Sequence, residues 1–143
     1  MKWGEITWIF LHTLSVKIAK EQYFKVKHDL FKHIQQLCYC LPCPMCASHA
    51  THYISKLSAP DTKEGFIKFL VDFHNSVNLR TKKNFFPIEN VSKYNTVNLV
   101  LAFNACKYII QKQPYNPKMM MDKIKTRNCL NKFHVWLKHQ GLV

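Results

Sequence analysis

Glycine is scarce in this chain: Gly4, Gly65 and Gly141 are the only three in 143 residues. They stand too far apart to build a glycine-rich phosphate loop, which excludes a Rossmann domain and a P-loop enzyme. Acidic residues are also few, 8 Asp plus Glu against 21 Lys plus Arg, for a formal net charge of +13 with histidine neutral. That balance favours acidic or phosphate-bearing partners without being a nucleic-acid signature in itself. No apolar run of about 18 residues is present, so no membrane span is expected. The opening Met1-Lys2-Trp3-Gly4-Glu5 lacks the basic region and apolar stretch of a signal peptide, and a cytoplasmic protein is expected. Asn-Gly turns and clean apolar–polar alternation are missing, which argues against strands.

What the chain has is helical spacing. Ile6, Phe10, Leu14 and Ile18 recur every four residues from Trp3 to about Ala19, with Trp8 and His12 on a second face. Leu30, Phe31, Ile34, Leu37, Cys38 and Leu41 form a second stripe, which Pro42 closes. A third helix is expected to start within Cys43-Pro44-Met45-Cys46, where proline is tolerated in a first turn, and to run to about Leu57. A fourth, capped by Asp61 or Thr62, runs to Arg80 with Phe66, Phe69, Leu70 and Phe73 inward. A fifth, from about Asn90 to Gln111, is apolar nearly all round its middle and should be buried on several sides. After Gln113-Pro114-Tyr115-Asn116-Pro117 comes a last amphipathic segment, about Lys118 to His139. From Ala105 onward there are eight Lys/Arg and one Asp, so this end carries +7 of the charge. The reading is one all-α domain: a helical bundle over residues 1–95 with a basic helical extension over 96–143, packed on the core or at a subunit interface.

Four of the six cysteines fall between Cys38 and Cys46. Cys43-Pro44-Met45-Cys46 is a C-x-x-C, whose chemistry at a helix N-terminus is a reversible disulfide with one stabilised thiolate. Zinc sites use the same spacing, and with Cys40 and His49 the run reads C-x2-C-x2-C-x2-H. Ligands at three-residue steps along one helix would project in a line and not converge as a tetrahedron, so no metal site is assigned. A second constellation is His74-Asn75-Ser76-Val77-Asn78, where His74 and Asn78 share one helical face. Trp8 and His12 make a third, a flat apolar surface beside a hydrogen-bonding ring, suited to a planar aromatic ligand.

These blocks together resemble the Erv/ALR-type FAD-linked sulfhydryl oxidases. The resemblance rests on Trp3-Gly4 with Trp8 and Leu11-His12-Thr13, then Leu41-Pro42-Cys43-Pro44-Met45-Cys46-Ala47-Ser48-His49, then His74-Asn75-Ser76-Val77-Asn78 followed by Arg80 and Lys83. It covers about residues 3 to 90 and implies a four-helix bundle with a short fifth helix, usually dimeric, holding FAD beside the C-x-x-C. By the same resemblance Cys46 is the flavin-proximal cysteine and Cys43 exchanges with incoming thiols. Trp8, His12, His49, His74, Asn75, Val77, Asn78 and Lys83 resemble flavin contacts. Arg80 and Lys82 or Lys83 offer charge to a pyrophosphate independently of the family; Tyr53 and Phe86 are weaker candidates. Implied partners are protein dithiols, a thioredoxin-like or virion protein among them, with oxygen as acceptor, hydrogen peroxide as product, no membrane, and nucleic acid disfavoured. The flavin would supply the electron chemistry, and the protein position and a lowered thiol pKa.

The departures are informative. The second disulfide of cellular members is missing at both ends, at Val71 and in Phe85-Phe86-Pro87; Phe69 replaces a usual Trp and Glu5 a common Arg. This is closest in character to the versions encoded by large cytoplasmic DNA viruses. The other reading is a non-catalytic basic module binding zinc or nucleic acid, for which no stacking motif or spaced zinc-finger signature is present. Outside the C-x-x-C, Cys38 is expected to be buried and inert. Cys106 and Cys129 are either inert core cysteines or a disulfide joining the last two helices.

Overall fold

The computed structural model describes residues 2–113 and 120–143, with side chains described outside 120–122. Six α-helices and one 3-10 helix make up its regular structure: α1 Trp3–Lys17, α2 Lys20–Tyr39, α3 Pro44–Ser55, α4 Lys63–Arg80, a 3-10 helix Ile88–Thr96, α5 Leu99–Gln111 and α6 Met120–His139. No strand occurs among the described residues, as expected. Local chemistry sets the boundaries. Thr62 accepts the Gly65 N–H and starts α4, and Asn98 accepts the Leu101 N–H and starts α5. Part of the expected turn, residues 114–117, lies outside the described residues.

The expected fifth helix is two elements. Ile88–Thr96 winds as a 3-10 helix, Val97 is extended at φ −82° and ψ 138°, and α5 begins only after Asn98. The apolar spacing runs through this break, but the Asn98 side chain competes for a backbone N–H and forces a restart. Nor is α5 buried all round: Phe103, Cys106 and Ile110 point inward, whereas Leu101 and Tyr108 are 68% and 61% exposed. Only one side of α5 meets α1.

One main core joins all six α-helices. Phe10 of α1 meets Phe103 of α5 and Phe133 of α6 edge-on, at centroid distances of 5.1 and 5.7 Å, so the C-terminal helices pack directly on the first. Tyr23 stacks on Phe66 at 4.9 Å and donates its hydroxyl proton to the Pro60 carbonyl at 2.6 Å, fixing the α3–α4 connection. A second, small cluster unites Val71, Phe86, Val91 and Tyr94. It occupies the place where the resemblance would put a disulfide staple, so apolar packing ties the segment after α4 back to the helix. That tie positions the wall of a cavity.

Candidate active site

The C-terminal half of α4, the face of α1 carrying Trp8, the 3-10 helix and the start of α3 surround a cavity of about 760 Å³, within the range of small-molecule and cofactor sites. Trp8 forms its flat wall. The indole stacks on the His74 imidazole with centroids 4.3 Å apart and planes 12° from parallel, and meets Phe73 edge-on at 5.3 Å. Behind them His12, fully buried, shares a hydrogen bond with His74, Nε2 to Nδ1, at 2.9 Å, and stacks on Phe86 at 4.9 Å. Burial, followed by His74 and Lys93, pushes the His12 pKa down to about 3; burial, followed by Lys83 and Lys93, pushes that of His74 down to about 4. Both rings are therefore neutral near pH 7, and the wall is aromatic and uncharged.

The cysteine pair sits where α2 gives way to α3. Cys43 is the N-cap of α3, its sulfur accepting the Cys46 N–H at 3.2 Å, with Pro44 in the first turn. Cys46, one turn on, lines the cavity, and Cys43 does not. The Arg80 guanidinium lies near enough to the Cys46 thiol to lower its pKa. Even so, burial and the neighbouring Cys43 thiol raise the Cys46 pKa, and Arg80 only opposes them. The expectation of a lowered thiol is thus not met at Cys46 in the dithiol form.

At the far end of α4 the chain reverses sharply. Lys82 adopts a left-handed backbone, φ 59°, and the Lys83 N–H returns to the Asn78 carbonyl at 2.8 Å. This turn sets Lys83 beside Arg80 on the rim, with Val77 and the buried Asn78 below them in the lining. Asn75, adjacent in sequence to His74, faces elsewhere: it accepts the Phe86 N–H at 2.7 Å and donates to the Phe86 carbonyl at 2.9 Å. Its role is to hold Phe86 against the cavity.

Of the residues expected at the site, Trp8, Cys46, His74, Val77, Asn78, Arg80, Lys83 and Phe86 line this one cavity. His12 and Asn75 buttress it from behind. His49 is exposed on α3, and Tyr53 stacks on Phe73 at 4.8 Å; neither lines the cavity. Sequence reading missed Lys2, Lys93 and Tyr94 in the lining. Lys93 lies 5.2 Å from the Tyr94 ring centroid and 5.5 Å from that of Phe86, and the Lys93-Tyr94 pair in a basic, aromatic segment was the available signal. An apolar pocket with a stacked aromatic wall, bordered by Lys2, Arg80, Lys83 and Lys93, fits a large planar ring system joined to a pyrophosphate, as in FAD. Among the described residues no cluster of histidine, cysteine or carboxylate side chains could hold a metal ion.

A C-x-x-C capping a helix against such a cavity defines an all-α dithiol redox protein. The sequence profile of the Erv1/Alr family matches residues 5–97, and the chain belongs to that family. A relative from African swine fever virus (isolate Tick/Malawi/Lil 20-1/1983), named FAD-linked sulfhydryl oxidase, is 28% identical over 109 residues, 76% of this chain and 89% of its own. FAD-linked sulfhydryl oxidase ERV1 of Arabidopsis thaliana is 33% identical over 89 residues, 62% of this chain and 47% of its own. The FAD-linked sulfhydryl oxidase of a second swine fever isolate, Pig/Kenya/KEN-50/1950, is 31% identical over 84 residues, 58% of this chain and 71% of its own. No solved structure matches the chain significantly. The resemblance drawn from the motifs is therefore borne out, viral relatives included.

Proposed function

We propose that this chain is an FAD-linked sulfhydryl oxidase that forms disulfides in protein dithiols, with Cys43 and Cys46 as the pair that accepts the electrons. The observation that carries the reading is the division of labour within the hairpin, Cys46 in the cavity wall and Cys43 outside it at the cap of α3.

A substrate thiolate attacks the Cys43 sulfur of the Cys43–Cys46 disulfide and releases the Cys46 thiolate. A second substrate thiolate then attacks the substrate sulfur of the mixed disulfide and releases Cys43, leaving a substrate disulfide and a reduced pair. Bound FAD would supply the two-electron acceptor for that pair, with oxygen as the final acceptor and hydrogen peroxide as the product. Trp8 and His74 orient the flat ring system, and the neutrality of His12 and His74 keeps their wall from competing with the rim cations for anionic groups. Arg80 and Lys83 receive the pyrophosphate, and Arg80 also favours the Cys46 thiolate against its burial.

The partners in this reading are a protein dithiol, oxygen and a second copy of the chain, for which the exposed Leu101 and Tyr108 offer apolar surface. No helix of the described residues is long and apolar enough to cross a membrane. Given the viral relatives, the proposed site of action is a host cytoplasm, virus factory or virion. The decisive experiment is purification followed by absorption spectroscopy and oxygen uptake with a small dithiol. A yellow protein that releases peroxide is expected, and Cys46→Ser should retain FAD and lose turnover. A colourless protein with stoichiometric zinc, or full activity in Cys46→Ser, would overturn the assignment.

A further inference from the structure

The two expectations for Cys106 and Cys129 separate in the structure. Cys106 is fully buried with its thiol 3.7 Å from Thr7 Oγ1, inside the α1–α5 contact. Cys129 does not face it. Its thiol lies instead beside that of Cys40, the first influence on its pKa, although 88 residues separate the two in sequence.

We infer that Cys40 and Cys129 are a second dithiol of this chain, which closes to a disulfide and staples α6 onto the end of α2 beside the Cys43–Cys46 hairpin. The helices are already registered for it. Thr126, one turn before Cys129, donates its hydroxyl proton to the Cys40 carbonyl at 3.0 Å, and the Cys40 thiol points at the Lys125 carbonyl at 4.0 Å. The Lys125 ammonium lies 3.0 Å from the Tyr39 ring centroid, a third tie over the same stretch of α2. Cys40 is the C-cap of α2 and Cys43 the N-cap of α3, so the two sulfur centres flank one short connection. Cys38 contributes a third buried thiol nearby, but no bond to Cys129.

Burial decides between a staple and a relay. Cys40 and Cys129 are 4% and 9% exposed, closed to a folded protein substrate. The Cys129 pKa is raised, first by the Cys40 thiol and then by burial, which makes it a slow nucleophile toward outside disulfides. A pair that is close, buried and slow, once closed, stays closed.

The oxidant rests on the function proposed above. A Cys40 thiolate attacks the Cys43 sulfur of the Cys43–Cys46 disulfide and releases Cys46. Cys129 then attacks the Cys40 sulfur and releases Cys43. One disulfide forms and one breaks, the electron pair moves to Cys43 and Cys46, and the two protons end on their thiols. A groove of about 550 Å³, lined by Cys40, Leu41, Pro44, Ala47, Lys125 and Thr126, lies along this connection. Closing the staple fixes its α6 wall.

The test uses the full-length flavoprotein prepared without reductant, alkylated, digested unreduced and analysed by mass spectrometry. The expected product is a Cys129 peptide linked to the peptide that carries Cys40, a link that survives Cys38→Ser and disappears in Cys40→Ser. Complete reduction should lower the melting temperature of the wild type by about 10 °C more than that of Cys129→Ser, which has only the Cys43–Cys46 disulfide to lose, as a closed loop of this length implies. Small-dithiol oxidation should be unchanged in Cys129→Ser. A yellow, active wild type without the linked peptide overturns the staple and leaves the oxidase intact. An inactive, colourless protein that forms the link with diamide supports the staple and overturns the oxidase as its source.

Discussion

His12 and His74 share one hydrogen bond, 2.9 Å long, between two rings that both titrate far below an ordinary histidine, at about 3 and about 4. In the unfolded chain each ring takes up a proton near pH 6.5, whereas in the folded protein neither does until the pH is much lower. The unfolded state therefore binds more protons between those limits, and stability falls as the pH drops through about 6.5 toward about 4. His12 contributes a slope of about 1.4 kcal/mol per pH unit, and the less buried His74 a smaller one. Above about pH 7 the pair contributes no pH dependence. Urea melts from about pH 7.5 to about pH 4.5 should show the loss, and His12→Gln should flatten it; an unchanged slope in that variant would place the acid sensitivity elsewhere.

Lys82 carries the only left-handed backbone outside glycine among the described residues. It stands where helix C-terminal turns usually place glycine, and an L-residue there costs on the order of 1 kcal/mol. Part of the gain from Lys82→Gly is offset by the greater freedom of glycine in the unfolded chain. The expected net effect is a stabilisation of about 0.5 kcal/mol, a rise of roughly 1–2 °C in calorimetry. FAD content should be unchanged, since Arg80 and Lys83, not Lys82, line the cavity.

The sequence disclosed the site better than its supports. Trp8, His74 and Asn78 were legible because helical spacing puts His74 and Asn78 on one face and an indole suits a flat ligand. The α3 start was legible because Pro44 fits a first turn. Asn75 reads as a neighbour of His74, yet consecutive residues on a helix diverge by about 100°, and it turns to the Phe86 backbone. The break at Val97-Asn98 was masked by apolar spacing that continues across it. The meeting of Cys40 with Cys129 was not legible at all, because Cys129 lies on an apolar stripe that explains its burial, Cys40 stands at the end of α2 outside its stripe, and only the docking of α6 against α2 brings them together.

Cys43→Ser and Cys46→Ser should both keep FAD and both lose more than about a hundredfold in turnover, but they should fail differently. With Cys46 removed, Cys43 still presents a thiol at the cap of α3 and should trap substrate as a mixed disulfide, visible on non-reducing gels as a higher band. With Cys43 removed, the remaining Cys46 faces the cavity and should trap little. Equal trapping by the two variants would show that the cavity wall does not separate their roles.

Arg80 supplies the last prediction, because it serves two groups from one position. The charge of its guanidinium is the main influence lowering a Cys46 pKa that burial and Cys43 raise. It also stands on the cationic rim with Lys83. Removing it in Arg80→Ala takes away charge and donor together, so Cys46 must titrate at higher pH, and its alkylation in the reduced protein should slow at a fixed, mildly alkaline pH. Arg80→Lys restores the charge without the planar fork and should fall between the two. Mapping alkylation rate against pH by mass spectrometry separates this from a simple loss of flavin, which would lower FAD content without moving the Cys46 profile. A profile that stays in place, or moves to lower pH, would mean that the Arg80 contact does not govern the thiol.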